Sequence, residues 1–283
     1  MTISKSDAGD PGKISRREVD IPAIPPVAAK VLHLLNNENA SIDELENIIS
    51  LEQAFAAKVL KIANSPFYGR SISKISEAVA LVGFYATASL LMRISLRDMY
   101  RRRHPLENML WEHSLGVSLA SSLIAARTNP AKRDEALIAG LLHDIGKAVL
   151  SHSMQDVYSG IVESAFKEGR SFIDAENARL GYNHCDIGKD AAKAWNLPES
   201  LEAAITYHHA KEIPAALSAS SGDICGIVRI ADALCIHSGI GTKSPTVADP
   251  EDLIISGLTE KDVKDIEEEL KEAYEKQRRQ FQD

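Results

Sequence analysis

Histidines and aspartates recur along this chain inside segments that otherwise have the apolar periodicity of buried helices. This pattern limits the fold, because a buried carboxylate or imidazole pair is costly unless a partner or a metal ion compensates it. The helices must therefore bring these side chains together. The series consists of His113, His143, Asp144, His184, His208, His209 and Asp232.

Each member of the series also has an ordinary structural explanation. A single histidine on an apolar helical face is more often a hydrogen-bonded core residue than a metal ligand. The adjacent pair His143-Asp144 is different, because apolar residues on both sides place an aspartate in the interior. The pair His208-His209 likewise follows an apolar helical stretch, residues 203–207. Together in one chain, these features favour a metal centre.

The residue types also indicate which ions would bind. Neutral imidazoles and carboxylates form a mixed nitrogen and oxygen set that Fe, Mn, Zn or Ni accepts. Seven such groups are too many for one tetrahedral ion and suit two ions that share a bridging carboxylate. Iron or manganese is favoured because the series contains no thiolate, while Zn, Ni or Mg would also fit.

Helical periodicity dominates the chain and strand signals are nearly absent, which predicts an all-α protein built from two helical lobes. Residues 1–20 are polar and contain glycine and proline, so we expect a disordered N-terminal segment. The first lobe covers residues 21–104, and the pattern from Ser41 to Glu44 predicts a capping box there. Pro105 marks the boundary, because a helix rarely continues through proline. The second lobe, residues 105–283, contains the whole series and ends in a helix.

One helix from Asp134 to Leu150 is predicted to carry the pair His143-Asp144. Neighbours on a helix point about 100° apart, so both reach one site only where a helix end faces it. Gly146 would allow the close approach that this requires. Lys147 follows on the same face. It is either a cation placed to bind a substrate phosphate or an ordinary solvated lysine.

Composition narrows the classes of function. The net charge of −8 argues against general nucleic-acid binding, which needs clustered lysine and arginine. The three cysteines are too few and too badly spaced for a disulfide framework. The chain has neither an apolar run of membrane-spanning length nor a basic and apolar leader, so we expect a cytoplasmic protein that binds no membrane.

The order His, His-Asp, His, His-His, Asp resembles the HD superfamily of metal-dependent phosphohydrolases. The segment from residue 21 to about residue 96 is more specifically similar to an HDOD (HD-related output) domain. The resemblance covers nearly the whole chain from residue 21 to about 270. The matching stretches are Ile21–Pro26, Ile62–Gly69, Ile75–Gly83 and Trp195–Pro198.

The resemblance implies how the ligands divide. His113, His143, Asp144 and Asp232 would hold one ion, and Asp144 would bridge to a second ion held by His184, His208 and His209. It also implies that Glu176 supports a ligand without being one, while its ordinary explanation is a surface glutamate. Asp144 and Lys147 would be the catalytic residues of a phosphohydrolase or phosphodiesterase that acts on a nucleotide or another phosphoester.

Two departures restrict what the resemblance implies. Relatives with a full ligand set that hydrolyse cyclic di-GMP carry an Asp-Gly-x-Gly-Tyr-Pro loop after the His-His pair, and residues 210–222 contain no such loop. Some also have a glutamate where this chain has Met109, so two ions are expected here and not three.

A second function remains open beside the enzyme. Many HDOD proteins act in signalling without their ligands, so the chain could be a non-catalytic output or docking module whose metal site is structural or sensory. A signalling partner would then dock on the first lobe. The loop from Asn64 to Arg70 is a candidate contact, although turn chemistry explains its polar residues equally well.

Overall fold

The computed structural model describes residues 15–37, 39–65, 68–69, 71–100, 105–210, 212–241 and 258–282. Within these ranges the chain is all-α and contains no strand, which confirms the predicted fold class. The helices are α1 Pro26–Leu35, α2 Ile42–Ser50, α3 Gln53–Ala63, α4 Ile75–Val82, α5 Phe84–Arg97, α6 Pro105–Thr128, α7 Arg133–Leu142, α8 Ile145–Ser153, α9 Gln155–Glu168, α10 Phe172–Leu180, α11 His184–Ala194, α12 Glu199–Tyr207, α13 Ala219–His237 and α14 Glu260–Gln282.

Local sequence signals set the helix ends in the first lobe. Proline at the first position of α1 loses no hydrogen bond, since that amide has no helical partner. The predicted capping box is present: the Ser41 hydroxyl accepts from the Glu44 amide at 3.2 Å, and the Glu44 carboxylate accepts from the Ser41 amide at 2.8 Å. Gly83 has a φ of 101° and separates α4 from α5, which are bent by 106°.

Helix α6 is the centre of the second lobe and is buried along most of its length. It packs against α7, α13 and α14. The contact with α7 is close enough for the Ser118 hydroxyl to donate to the Leu137 carbonyl oxygen at 2.6 Å. Pro105, the predicted lobe boundary, is the first residue of α6, and residues 101–104 before it lie outside the described residues. The two-lobe division stays a prediction; below, first lobe and second lobe name the described residues before Pro105 and from Pro105 onward.

The predicted helix from Asp134 to Leu150 is wrong, because α7 ends at Leu142 and α8 begins at Ile145. His143 and Asp144 lie in the turn between them. The crossing of α8 over α11 fixes this turn. A Cβ on Gly146 would overlap the His184 carbonyl oxygen and lie 2.8 Å from the Gly188 nitrogen. The break lets both members of the pair face the same point.

Part of the N-terminal segment that is predicted to be disordered, residues 1–20, lies within the described residues. Residues 1–14 lie outside the described residues, but Arg16–Glu18 form a 3-10 turn against the second lobe. The Arg16 guanidinium donates to both Asp190 carboxylate oxygens, at 2.7 and 2.8 Å, and to Asp186 Oδ1 at 3.2 Å. The Trp195 indole donates to the Pro22 carbonyl oxygen at 3.0 Å. These partners are remote in sequence, so composition could not reveal them.

Among the described residues, no single helix is both long and apolar enough to cross a membrane. Helices α4 and α5 reach that length and composition only when they are taken together across their bend.

Candidate metal centre

Five separate points of the second lobe supply the seven residues of the series. His113 lies within α6, and the pair His143-Asp144 occupies the turn between α7 and α8. His184 is the first residue of α11, the pair His208-His209 directly follows α12, and Asp232 lies on α13. All are at most 5% exposed except His209, whose side chain is 30% exposed. The cluster is therefore buried and reaches the surface at His209.

The two carboxylate oxygens of Asp144 face different histidines. Oδ2 lies 3.4 Å from His143 Nε2 and 3.8 Å from His113 Nε2. Oδ1 lies 3.4 Å from His184 Nε2 and 3.5 Å from His208 Nε2. One carboxylate thus lies between two pairs of imidazoles, which is the position that a bridging ligand requires.

Asp232 closes the opposite side of the cluster. Its Oδ1 lies 2.9 Å from His113 Nε2 and 3.9 Å from His143 Nε2, while its Oδ2 lies 3.8 Å from His209 Nδ1. Two overlapping donor groups, neither of which includes Asp232, have ligand atoms within 4.8 Å of one another. One is His113, His143 and Asp144; the other is Asp144, His184, His208 and His209.

Oxygen acceptors behind three of the imidazoles fix which ring nitrogen carries the proton. His143 Nδ1 donates to the Gly140 carbonyl oxygen at 2.8 Å, and His208 Nδ1 donates to the Ala204 carbonyl oxygen at 3.0 Å. His184 Nδ1 donates to Glu176 Oε2 at 2.7 Å. Because these oxygens only accept, Nδ1 holds the proton and each Nε2 presents a lone pair to the cluster.

Four polar atoms at the centre of the cluster are buried without a hydrogen-bond partner. They are His143 Nε2, Asp144 Oδ1, His184 Nε2 and His208 Nε2. A buried acceptor without a donor loses its hydration and gains nothing in return. Four acceptors directed at one another fit a cation between them, and nitrogen and oxygen donors fit a transition metal.

Burial and neighbouring charges have opposite effects on the pKa values of the ionisable groups in the cluster. Burial alone would raise the pKa of Asp144, but His143 and Lys147 outweigh it and hold that pKa well below its usual range. Burial lowers the pKa of His143, because the interior disfavours the charged ring, and the nearby Asp144 offsets this only in part. The pKa of Asp232 is also lowered: burial would raise it, but the hydrogen bond with His113 prevails. Two ionised carboxylates against one ammonium leave negative charge that favours a bound cation.

Lys147 is not a solvated lysine. It is 4% exposed, its Nζ lies 2.7 Å from Asp144 Oδ2, and it lies 5.0 Å from the centre of the Phe172 ring. Burial acts to lower its pKa, but Asp144 and Asp232 raise it above the usual value. Direct contact of Lys147 with a substrate phosphate stays a prediction.

Glu176 lies where a supporting residue is expected. Its Oε2 accepts from the His184 ring and from the His184 backbone amide at 2.8 Å. Its Oε1 accepts from the Tyr158 hydroxyl at 2.8 Å. Sequence reasoning missed Tyr158, because nothing in its spacing relates it to the histidines. Together these contacts fix the orientation of the His184 ring.

Replacing Glu176 with glutamine is expected to weaken metal binding about 10- to 100-fold, because the His184 ring loses the charged acceptor that orients it. Calorimetric titration with Mn²⁺ measures the change in metal affinity. Glu163→Gln is the matched control, because Glu163 is exposed on α9 and should leave affinity unchanged. Equal affinities in the two variants would contradict the assigned role.

A family model of the HDOD domain matches residues 21–211. The chain belongs to the HDOD family. The matched range crosses the predicted lobe boundary and includes all members of the series except Asp232. The resemblance noted in the sequence is thereby confirmed for the family.

Solved structures share the fold of this HDOD protein. An HDOD-domain protein of unknown function from Geobacter sulfurreducens is 29% identical, with a TM-score of 0.75 over 90% of each chain. A candidate phosphohydrolase from Shewanella amazonensis is 22% identical, with a TM-score of 0.65 over 91% of this chain and 92% of that one. At this identity the second likeness shows the fold alone.

A curated relative is longer than this HDOD chain. An uncharacterized protein of Treponema pallidum is 25% identical over 199 residues, which is 69% of this chain and 39% of the relative. The HDOD chain thus spans about two fifths of the length of that relative.

Proposed function

We propose that this HDOD protein binds two metal ions and hydrolyses a phosphoester, either a nucleotide or a related compound, as part of a signalling pathway. His113, His143, Asp144 and Asp232 would hold one ion, and Asp144, His184, His208 and His209 the other. The observation that carries the proposal is the convergence of four buried acceptors without donors on one point.

The donor set favours iron or manganese, with zinc, nickel or magnesium as the other ions that it would accept. Neither donor group includes a cysteine, and each combines imidazole nitrogen with carboxylate oxygen. When bound, the ions would neutralise the charge of a phosphoester and lower the pKa of water.

The surrounding residues would position this chemistry. Asp144 would connect the two ions, and Lys147 holds the Asp144 carboxylate in place by donating to its Oδ2. Glu176 orients His184. His209 lies at the exposed edge of the cluster, so a substrate would approach from that side. The other members of the series are buried, so water is excluded on their sides and charge interactions within the cluster are stronger.

A specific observation favours the second candidate, a non-catalytic signalling output or docking module. The cluster is buried except at His209, and the Lys147 ammonium is already engaged by Asp144. A structural or sensory metal site needs no more access than this. A signalling protein would then dock on the first lobe, where the loop from Asn64 to Arg70 is a candidate contact; its residues 66, 67 and 70 lie outside the described residues.

Hydrolysis of bis(4-nitrophenyl) phosphate separates the two functions. Turnover by metal-loaded protein is expected to follow metal content and to fall to background in Asp144→Asn. The control is His152→Asn, because His152 lies on α8 outside the series. Cyclic di-GMP is expected to be a poor substrate, since the chain lacks the loop of its hydrolases. If fully loaded protein cleaves neither the ester nor any cyclic or linear nucleotide tested, the docking module is the function.

A further inference from the structure

A cavity lies between the two lobes and shares no residue with the metal centre. Its volume is about 200 Å³. Helices α1 and α5 of the first lobe and helices α7 and α12 of the second line it. Its apolar wall consists mainly of Leu32, Leu35, Tyr85, Ile138 and Leu201.

One edge of this interlobe cavity is acidic, and its two carboxylates differ. Glu135 is engaged, because it accepts from Lys132 Nζ at 2.8 Å and from the Ser200 hydroxyl. The Asp134 carboxylate has neither a hydrogen bond nor an ion pair with any residue that the structure describes. Its neighbour Arg133 donates to the Ser122 hydroxyl at 3.2 Å instead.

The Asp134 carboxylate is therefore a partly buried negative charge beside an apolar space. Burial raises its pKa, and the nearby Arg133 offsets this only in part. Its position in the first turn of α7 favours the ionised form. A ligand cation would provide the partner that the described residues do not.

We propose that the interlobe cavity binds a small organic cation, with an ammonium or guanidinium group against Asp134 and an apolar body against the leucines. A cavity of about 150 Å³ accommodates benzene, so this one fits an aryl or short alkyl body with a charged arm. Tyr85 also lines the cavity and is 48% exposed, so its aromatic ring is accessible to the same ligand.

Two helices extend from the interlobe cavity to the metal centre. Helix α7 begins at the cavity and ends just before His143, and α12 begins there and ends just before His208. Each helix is about 15 Å long. The Glu135–Ser200 hydrogen bond joins their N-terminal ends.

Calorimetric titration of the full chain tests the proposal directly. The probes are 2-phenylethylamine and benzylguanidine, with 2-phenylethanol as the neutral analogue and phenylacetate as the anionic one. Both cations are expected to bind at least about tenfold more tightly than the alcohol, because a charge-assisted hydrogen bond forms only with a cation. Phenylacetate is expected not to bind.

Asp134→Asn keeps the shape of the side chain and removes its charge, so the cation preference should disappear while binding of the alcohol persists. Asp156→Asn is the matched control: Asp156 is exposed, stands at the same second position of α9, and does not line the cavity. It should leave every affinity unchanged.

Three results would overturn the proposal. They are absence of saturable binding by either cation at millimolar concentration, equal binding of cation and anion, and a cation preference that survives in Asp134→Asn. Since binding is measured on protein with or without metal, the outcome does not depend on the metal centre.

Discussion

Asp144→Asn is expected to lose both proposed metal ions and to lower the free energy of unfolding by about 3–5 kcal/mol. Both losses have their origin in the two oxygens of this carboxylate. Oδ1 faces His184 and His208, while Oδ2 faces His143 and accepts from Lys147 at 2.7 Å. The substitution weakens both donor groups and leaves a buried ammonium without its counterion.

A double variant separates the loss of metal from the loss of stability. Asp144→Asn combined with Lys147→Met removes both buried charges, so most of the stability should return while the metal does not. His208→Ala should lose mainly one ion, because His208 belongs to one donor group only. Elemental analysis of anaerobically purified protein and urea unfolding measure the two effects. Wild-type metal content in Asp144→Asn, or less than half an equivalent in the wild type, would contradict the assignment.

Gly146→Ala is expected to destabilise the protein by about 3 kcal/mol or more. The added methyl group would overlap the backbone carbonyl of His184, and a backbone atom cannot rotate away as a side chain can. The helices α8 and α11 would have to separate, which also moves Asp144 away from His184. Metal content should therefore fall together with stability.

Gly160→Ala is the control for this substitution. Gly160 lies within α9, and a Cβ there would meet no atom within 4 Å. The control is expected to stabilise the helix by about 0.5–1 kcal/mol, because alanine has less conformational freedom to lose than glycine. Urea unfolding of both variants measures the contrast, and similar destabilisation in the two would show that helix crossing is not the cause.

The sequence alone predicts much of the fold, because the relevant signals are local. Apolar periodicity predicts the helices, and the Ser41–Glu44 pattern predicts a cap that the structure contains. The series of histidines and aspartates predicts that remote segments converge, since each buried polar group needs a partner. Spacing could not predict which oxygen of Asp144 faces which histidine, because packing decides that.

The features that the sequence did not predict correctly all depend on contacts between residues that are remote in sequence. Apolar residues continue on both sides of His143-Asp144, so their periodicity predicts one continuous helix. The structure has a turn there instead, because α8 crosses α11 closely at Gly146. Lysine is ordinarily a surface residue, and Lys147 can be buried because its ammonium pairs with the Asp144 carboxylate. Likewise, the N-terminal turn depends on Asp186 and Asp190, which no local pattern connects to Arg16.

The ion pairs of Arg16 with Asp186 and Asp190 also determine when the N-terminal turn can reach its native position during biosynthesis. Arg16 and Asp190 are 174 residues apart, so the N-terminal turn leaves the ribosome long before its partner helix α11 exists. At roughly 5–20 residues per second, this interval lasts about 9–35 s. The first lobe can therefore collapse on its own helices, but the turn that precedes it must remain undocked until α11 has been made. The earliest described residues of the chain are thus among the last to reach their native contacts.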